Sequence, residues 1–354
     1  MSEKGRKPSG SSICSAIEGL WKEVRELSLG TSIEHLQSAP SSLQFLRQFV
    51  LPNKPCIISN AIQHWSALSA WTEDEYLCRA LADRQVSLHL TPDGRADALV
   101  HHPSSPSTLC FASAHVQRMP FPLALQYIVD SSSPSSPFVA YAQEQNDCFR
   151  SEYSQLLPDV ESHISWASES FGCLPEAVNL WIGNQRSETS FHKDHYENLY
   201  AVITGEKHFL LIPPTDVHRM YVREYPAASY NFSQETGKLS LELEKPSRYI
   251  PWCSVNPFPS SSTREQQISL FPRYFSGPEP FHCTVKAGEI LYLPSMWFHY
   301  VRQSPDSRGR TIALNYWYDM RFDIKYAYYN FLQSIDIHST KACAPKVYES
   351  YDGS

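Results

Sequence analysis

The spacing of apolar residues is helical near the start of the chain and alternates further along. Between Ser12 and Leu29 apolar side chains recur every three or four positions, which predicts an amphipathic helix packed against the core. The segment "VSLHLTP" (Val86 to Pro92) alternates instead, as a half-buried strand does, and it runs into the turn "PDG". The helix residues are Ile13, Ile17, Leu20, Trp21, Val24 and Leu27.

The middle of the chain is rich in short β runs. Besides Val86 to Pro92 they include Cys56 to Ser59, Phe138 to Gln145 and Ala177 to Gly183, and the region from there to Met320 is rich in strands. Such a series of short strands predicts a sandwich or barrel, of which the jelly roll is the commonest ligand-binding form.

Two turns contain a glycine between β runs. Gly205-Glu206 separates Leu199–Thr204 from Lys207–Ile212, and a two-residue loop with glycine first suits a type II′ hairpin turn. Ala287-Gly288-Glu289 repeats this arrangement before Ile290–Leu293. We therefore expect a β-hairpin at each turn.

These patterns divide the chain into four parts. Residues 1–11 are expected to form a disordered tail, and residues 12–130 a region of helices and strands packed on the core. Residues 131–320 are expected to form the β core, which starts at the loop "SSSPSSP" and is interrupted at about 213–280 by an insertion rich in proline, serine, tyrosine and charge. Residues 321–354 are expected to form a C-terminal helix and tail.

Composition excludes several classes of protein. Of the 354 residues 42% are hydrophobic and 19% charged, which is typical of a globular chain. The net charge of −7 provides no basic field for direct nucleic-acid binding, and no apolar run is long enough for a membrane helix. The nine cysteines contain no CxxC pair, which argues against a disulfide framework and a zinc ribbon. We therefore expect a cytoplasmic protein, a nuclear one, or both.

The segment "SFHKDHYENLYAVITGEKHF" (Ser190 to Phe209) concentrates metal-binding residue types. On a strand, His192 and Asp194 would share one face and Lys193 would point away. On a helix, His192 and His195 would be the facing pair instead. The β-rich sequence that follows favours the strand.

A third ligand must come from a distant strand, and "GEILYLPSMWFHYV" supplies His299. Two histidines and one carboxylate form the facial triad of non-haem Fe(II) oxygenases, in which three coordination positions stay open. Zinc sites usually keep only one open position. An HxD tripeptide alone is weak support, and His299 could equally be a histidine of the aromatic core.

Several segments together resemble the jumonji-C family of 2-oxoglutarate oxygenases, and in particular its small stand-alone hydroxylases. The resembling segments are "PNKPCIISNAIQHW", "HKDHYENLY", "TGEKHF", "LYLPSMWFHYV" and "ALNYWYDM", and the similarity extends roughly from Leu20 to Ser334. The resemblance implies a mainly β fold with flanking helices around a double-stranded β-helix, the jelly-roll or cupin-like core of the jumonji-C type.

The resemblance also implies residue roles. His192, Asp194 and His299 match the iron ligands. Lys207 matches the cation that pairs with the distal carboxylate of 2-oxoglutarate, because a buried dicarboxylate needs a cation and hydrogen-bond donors. The implied co-substrate residues are Tyr141 and Thr189 as hydroxyl partners of that carboxylate, Asn198 and Asn315 as amides near the metal, Lys207, and Trp317 as an aromatic wall. Other nearby groups are expected to be structural: Lys193, His195, His208 and His282.

The implied activity uses Fe(II) as cofactor and 2-oxoglutarate and dioxygen as co-substrates. The expected product is a hydroxylated protein side chain, a lysine carbon (C-3) of a GTP-binding protein linked to translation. Three alternatives stay open. A histone lysine demethylase would use the same chemistry, an endopeptidase could act on basic histone tails, and a non-catalytic scaffold could keep the fold alone. No HExxH motif supports a peptidase, and the intact triad with Lys207 argues against a scaffold.

The segment "RFDIKYAYYNFLQSIDIH" predicts a C-terminal helix with two apolar faces. One face carries Phe322, Tyr326 and Tyr329, and the other carries Ile324, Tyr328, Phe331 and Ile335. A helix that is apolar on two faces needs two packing partners, and the second could be the same helix of another copy. We therefore expect a homodimer, as the resemblance also implies. The alternative is a helix packed between the core and the N-terminal helix.

Overall fold

The computed structural model describes the backbone of residues 10–337 and the side chains of residues 13–337. Most of the predicted N-terminal tail and the end of the C-terminal tail lie outside the described residues. In chain order the strands are β1 Glu34–Leu36, β2 Cys56–Ile58, β3 Gln85–Thr91, β4 Arg95–Ala96, β5 Ala98–His102, β6 Ser105–Ser113, β7 His115–Pro120, β8 Val139–Tyr141, β9 Ala177–Gly183, β10 Glu188–His192, β11 Tyr196–Thr204, β12 Glu206–Ile212, β13 Val222–Ser233, β14 Lys238–Leu243, β15 Tyr249–Cys253, β16 Phe281–Lys286, β17 Ile290–Leu293, β18 Phe298–Ser304 and β19 Thr311–Asp319.

Short helices surround these strands. The α-helices are α1 Gly10–Val24, α2 Ser42–Phe45, α3 Ala67–Ala70, α4 Asp74–Ala80, α5 Phe121–Asp130, α6 Cys148–Ser151, α7 Ser165–Phe171, α8 Arg264–Leu270, α9 Pro272–Ser276 and α10 Ile324–Ser334. The predicted N-terminal helix is confirmed, and a π-helical turn, Arg25–Leu29, extends it. None of the helices within residues 10–337 is long and apolar enough to cross a bilayer.

Eight strands pair in a nested order. The first of them, β9, pairs with the last, β19; β10 pairs with β18, β11 with β17, and β12 with β16, all antiparallel. Two further pairings, β11 with β19 and β12 with β18, complete two sheets. A double ribbon rolled up in this way is a jelly roll, so the expected cupin-like core is confirmed.

Side-chain alternation makes the first sheet of the roll a boundary between two cores. On β9 and β11, Leu180 and Leu199 face a core formed with the surrounding helices, whereas Trp181 and Tyr200 face the interior between the two sheets. Successive residues of a strand point to opposite faces, so a sheet buried on both sides is apolar throughout. This explains why all seven residues of "AVNLWIG" are buried.

The expected hairpins at Gly205 and Gly288 are wrong. β11 belongs to one sheet and β12 to the other, so Gly205 carries the chain between sheets, and Gly288 does the same between β16 and β17. Gly205 has φ +69°, and a Cβ there would lie 2.6 Å from the carbonyl oxygen of Ser304. The crossing therefore needs glycine both for its conformation and for its space.

The insertion between β12 and β16 is more regular than expected. Its long strand β13 pairs with both β14 and β15, and β13 also runs parallel to β6 of the N-terminal region. The insertion therefore shares a sheet with the hairpin β5–β6, and neither segment is a separate unit. Residues 131–176, expected to belong to the β core, contain β8 and helices, and the roll itself begins at β9.

Cysteine usage differs from the expectation at one position. Seven cysteines in the described region are free thiols, but Cys14, on α1, is disulfide-bonded. One such bond does not make a disulfide framework, so the core depends on packing for its stability.

A buried ionic network attaches the N-terminal helix to the roll. The Asp216 carboxylate accepts from Arg219 at 2.7 Å and from Arg25 at 2.9 Å. Asp216 and Arg219 are both fully buried, and Arg219 also lies over the ring of Trp21 on α1. The single carboxylate thus pairs with two guanidinium groups, of which that of Arg219 is fully buried.

We predict that Asp216→Asn lowers the free energy of unfolding by about 3–5 kcal/mol, because it leaves buried guanidinium charge unpaired. Asp93→Asn is the matched control: its partner Arg95 is at the surface, so the loss should stay below about 1 kcal/mol. Urea titration of both variants measures the difference. Equal losses in the two variants would mean that the buried network does not stabilise the fold.

Candidate metal and co-substrate site

A cavity of about 310 Å³ opens between the two sheets of the roll, and strands of both sheets line it. All but one of the residues predicted from the sequence to form the site line this cavity. Those that border it are Tyr141, Thr189, His192, Asp194, Asn198, His299, Asn315 and Trp317. The exception is Lys207, which lies behind Tyr141 and contacts its hydroxyl.

The two histidines meet because of strand pairing. His192, the last residue of β10, is directly opposite His299 of β18, and their ring centroids are 4.1 Å apart. Asp194 Oδ2 lies 3.8 Å from Nε2 of His192 and 3.6 Å from Nε2 of His299. The three ligand atoms lie within 4.8 Å of one another, so they can bind one ion together.

Each imidazole is oriented by a backbone carbonyl. Nδ1 of His192 donates to the carbonyl oxygen of Ser190 at 2.8 Å, and Nδ1 of His299 donates to that of Trp297 at 3.0 Å. A carbonyl can only accept, so the proton stays on Nδ1 and the lone pair of Nε2 points towards Asp194. Burial also lowers the pKa of His299 to about 4, which keeps it neutral. Two neutral imidazoles and a carboxylate fit Fe(II).

Asp194 reaches the site from a loop, since β10 ends at His192. The strand therefore does not extend to Asp194 as expected, although His192 and Asp194 still converge on one point. The loop is held by its own main chain and neighbours: the carbonyl of Asp194 accepts from the Met296 amide at 2.9 Å, and Lys193 lies 5.0 Å from the ring of Tyr329. His195 packs against Tyr326 of α10.

Lys207 is a buried cation without an anionic partner. It is 1% exposed, and its ammonium donates to the Tyr141 hydroxyl at 3.0 Å. No carboxylate within residues 13–337 forms an ion pair with it, and burial lowers its pKa to about 7. The side chains of Thr189 and Tyr200 lie beside the Tyr141 hydroxyl in the cavity wall. This arrangement favours binding of an anion on the cavity side of Tyr141.

The two amides and Trp317 occupy the first sheet. The Asn315 side chain accepts from Trp181 Nε1 at 2.7 Å and donates to Asn198 at 3.5 Å, so one indole orients both amides. Trp317 stacks on Tyr196, with 4.7 Å between their ring centroids. The indole N–H of Trp317 is buried without a hydrogen-bond partner in the described part of the chain.

Among the further residues that line the cavity are an acid and three aromatic side chains that the sequence did not indicate: Asp97, Trp181, Tyr200 and Trp252. Lys193, expected to be structural, lines the cavity too. Tyr200 could have been found, because it lies two positions after Asn198 and so on the same face of β11. Trp181 lies two positions after Asn179, which is paired with Asn315 on the neighbouring strand. Trp252 lies in the insertion, and its ring is parallel to His192 at 6.1 Å. Nothing in the sequence around Trp252 or Asp97 indicates that these segments reach the metal ligands.

Two expected structural histidines lie away from the triad. His208 hydrogen-bonds to Thr284 at 2.9 Å and to Ser304 at 2.8 Å, and His282 is exposed. Of the His, Cys, Asp and Glu side chains in residues 13–337, only His192, Asp194 and His299 cluster closely enough to form a metal site.

Comparisons with known proteins agree with this geometry. The Cupin-like domain family matches residues 42–324. The lysine-specific demethylase JMJ32 of Arabidopsis thaliana is 60% identical, over 90% of this chain and 91% of its own length. The human bifunctional peptidase and (3S)-lysyl hydroxylase JMJD7 is 40% identical, over 88% and 92%, and the JmjC domain-containing protein E of Dictyostelium discoideum is 35% identical, over 89% and 91%. The chain therefore belongs to the cupin-like jumonji-C family and is a 2-oxoglutarate-dependent dioxygenase.

Proposed function

We propose that this protein is an Fe(II)- and 2-oxoglutarate-dependent hydroxylase that acts on a lysine side chain of a protein substrate. The observation that carries the proposal is the cavity that combines the His192–Asp194–His299 triad with the buried cation Lys207. A GTP-binding protein of the translation machinery is the substrate to test first. The (3S)-lysyl hydroxylase named among the relatives supports the choice of lysine.

The proposed roles follow from the contacts. His192, Asp194 and His299 would hold Fe(II), which with 2-oxoglutarate and dioxygen supplies the oxidising chemistry. The carbonyls behind the imidazoles hold the ring protons on Nδ1, so that the Nε2 atoms face the metal position. Lys207 and the Tyr141 hydroxyl bind and orient the distal carboxylate of the co-substrate.

The first-sheet residues complete the proposed site. Asn198 and Asn315, oriented by Trp181, present amides to ligands beside the metal. Trp317 closes the cavity on that side and excludes water, because it stacks on Tyr196.

Demethylation is the second candidate, because the relative at 60% identity is named a lysine-specific demethylase. Both reactions oxidise a carbon–hydrogen bond, so they differ only in which carbon of the substrate approaches the metal.

Peptidase activity is a third candidate, from the name of the relative at 40% identity. Matched lysyl and methyl-lysyl peptides, incubated with Fe(II) and 2-oxoglutarate and analysed by mass spectrometry, separate the three. A gain of one oxygen, the loss of one methyl group and a cleaved chain are distinct outcomes.

The C-terminal helix supports a proposed homodimer. Tyr329 and Leu332 of α10 are buried against the protein, whereas Ile324, Tyr328 and Phe331 are 68%, 64% and 61% exposed. This unpaired apolar stripe would pair with its own copy across a two-fold axis. Cytoplasmic or nuclear residence also stays a prediction from the sequence.

We predict that Ala at His192, Asp194 or His299 abolishes metal binding and 2-oxoglutarate turnover while the fold is retained, because two ligands cannot hold Fe(II) in facial geometry. His208→Ala is the control, since its ring bonds only to side chains outside the cavity. Titration calorimetry with the metal and circular dichroism measure the two properties. Retained turnover in Asp194→Ala would exclude the proposed triad.

We predict that Lys207→Ala raises the dissociation constant of 2-oxoglutarate by roughly a hundredfold or more, since losing one partner of a buried ion pair costs about 3–5 kcal/mol. Thr215→Ala, a small change outside the cavity, is the control for general damage. Calorimetric titration of the zinc-loaded protein gives the affinity without turnover. An unchanged affinity would place the carboxylate contact elsewhere.

We also predict that 2-oxoglutarate affinity falls about tenfold per pH unit above pH 7. Burial lowers the pKa of Lys207 to about 7 in the absence of an anion, so above that pH the neutral amine must take up a proton before it can pair. Below pH 7 the amine is already charged and this dependence disappears. Calorimetry at pH 8 in buffers of different ionisation enthalpy should report the uptake of about one proton. Binding without proton uptake would mean that Lys207 is already charged.

We predict that the protein is a dimer at micromolar concentration in light scattering, and that Tyr328→Asp or Phe331→Asp makes it a monomer. Leu174→Asp, at another exposed apolar residue, is the control and should leave the mass unchanged. A monomeric natural protein would refute the dimer, and a dimer that survives both substitutions would refute this interface.

A further inference from the structure

Asp97 brings a second acidic side chain into the cavity of the metal triad. It lies at the bend between β4 and β5, and its carbonyl accepts from the Ser190 hydroxyl at 2.6 Å. Ser190 is on β10, two residues before His192, and β4 pairs with the same strand. The bend is therefore fixed beside the metal ligands, and within residues 13–337 Asp97 and Asp194 are the acids that border the cavity.

The Asp97 carboxylate has no hydrogen bond and no ion pair with any residue in the described part of the chain. The neighbouring Asp93 provides the contrast, because its carboxylate pairs with Arg95 at 2.6 Å. Burial raises the pKa of Asp97, and the nearby His89 and His192 offset that rise only in part. An unpaired acid in a cavity wall is costly unless a ligand completes it.

The backbone does not explain why an acid is present. Asp97 has φ +51°, a left-handed conformation that asparagine and glycine also adopt. The bend would form equally well with an amide, so its conformation leaves the negative charge unexplained.

Aromatic side chains border the cavity near this acid. Trp252 and Phe111 meet edge to face, with 4.8 Å between their centroids, and Trp252 lies parallel to His192 at 6.1 Å. The indole N–H of Trp252 donates to Ser190, the residue that also holds the Asp97 bend. Gln143, Gln145 and Lys193 also line the cavity, so it is not wholly apolar. The aromatic walls beside Asp97, the one carboxylate outside the triad, suit an alkyl chain that ends in a cation.

We infer that Asp97 binds the charged nitrogen of the substrate side chain and thereby makes the site specific for cationic side chains. This inference rests on the proposed function, because it concerns the substrate of the same site. Lysine and methylated lysine are both cations, so Asp97 would select either over a neutral side chain of the same length. Hydroxylation and demethylation therefore share this requirement.

The test compares nine-residue peptide libraries that have lysine, monomethyl-lysine or norleucine fixed at the centre. The natural protein should convert a cationic library in preference to the norleucine library. Asp97→Asn, which suits the same bend, should reduce that preference about thirtyfold or more, because the buried cation loses its partner. Asp93→Asn removes the same charge outside the cavity and should behave like the natural protein. The affinity for 2-oxoglutarate should not change in either variant.

A binding measurement keeps the two proposals separate. In the zinc-loaded protein, n-butylammonium reproduces the lysine side chain, and saturation-transfer NMR should detect it in the natural protein but not in Asp97→Asn. Neutral n-butanol should not distinguish the two proteins. If no library is converted, the proposed function fails, and the butylammonium result still decides the role of Asp97. Equal butylammonium binding by the two proteins, or an unchanged preference in Asp97→Asn, would overturn the inference.

Discussion

The antiparallel pairing of β10 with β18 is the interaction on which the rest of the site depends. It sets His192 opposite His299, and directly opposed residues of such a pair have Cβ atoms about 4.5–5.5 Å apart. That spacing suits two imidazoles on one ion, so the protein needs only one further ligand, which the loop after β10 supplies. A slip of one residue would turn one histidine to the other face of the sheet, because side chains alternate. The neighbouring ladder between β12 and β18 guards against such a slip.

Two unpaired charges in and beside the cavity lower the stability of the ligand-free folded state and favour the binding of charged ligands. In the described part of the chain Lys207 has no anionic partner and Asp97 has no cationic one, although both are largely removed from water. They do not neutralise each other, because Lys207 lies behind Tyr141 and Asp97 lies beside Ser190. Each therefore favours a ligand group of opposite charge, and a folded state without ligands is less stable for it.

Much of the site could be predicted from the sequence, because its signals are local. The strand around His192, the apolar run of β9 and the glycine turns are all visible in a few residues. The partner of each strand is not local. At Gly205 a glycine between two β runs fits a hairpin and a crossing between sheets equally well, and the second is what the roll requires. Both strands are largely buried, so alternation of polar residues could not decide between them.

Trp252 and Asp97 could not be predicted from the sequence for one shared reason. Trp252 belongs to the insertion and Asp97 to the bend before β5, and each reaches His192 through tertiary pairing alone. Apart from Tyr141 on β8, the family resemblance identified residues on the roll, where the motifs lie. It gave no indication of the groups contributed by the insertion or by the bend before β5.

The position of the insertion has a consequence for how this site can change. It joins β12 to β16, which are themselves paired, so it forms the loop at the closed end of the rolled ribbon. Length and sequence can vary there without breaking any ladder that holds a metal ligand. Because the insertion also contributes Trp252, one wall of the cavity can be remodelled while the metal triad is left intact. In such an architecture, new substrates can be acquired without new chemistry.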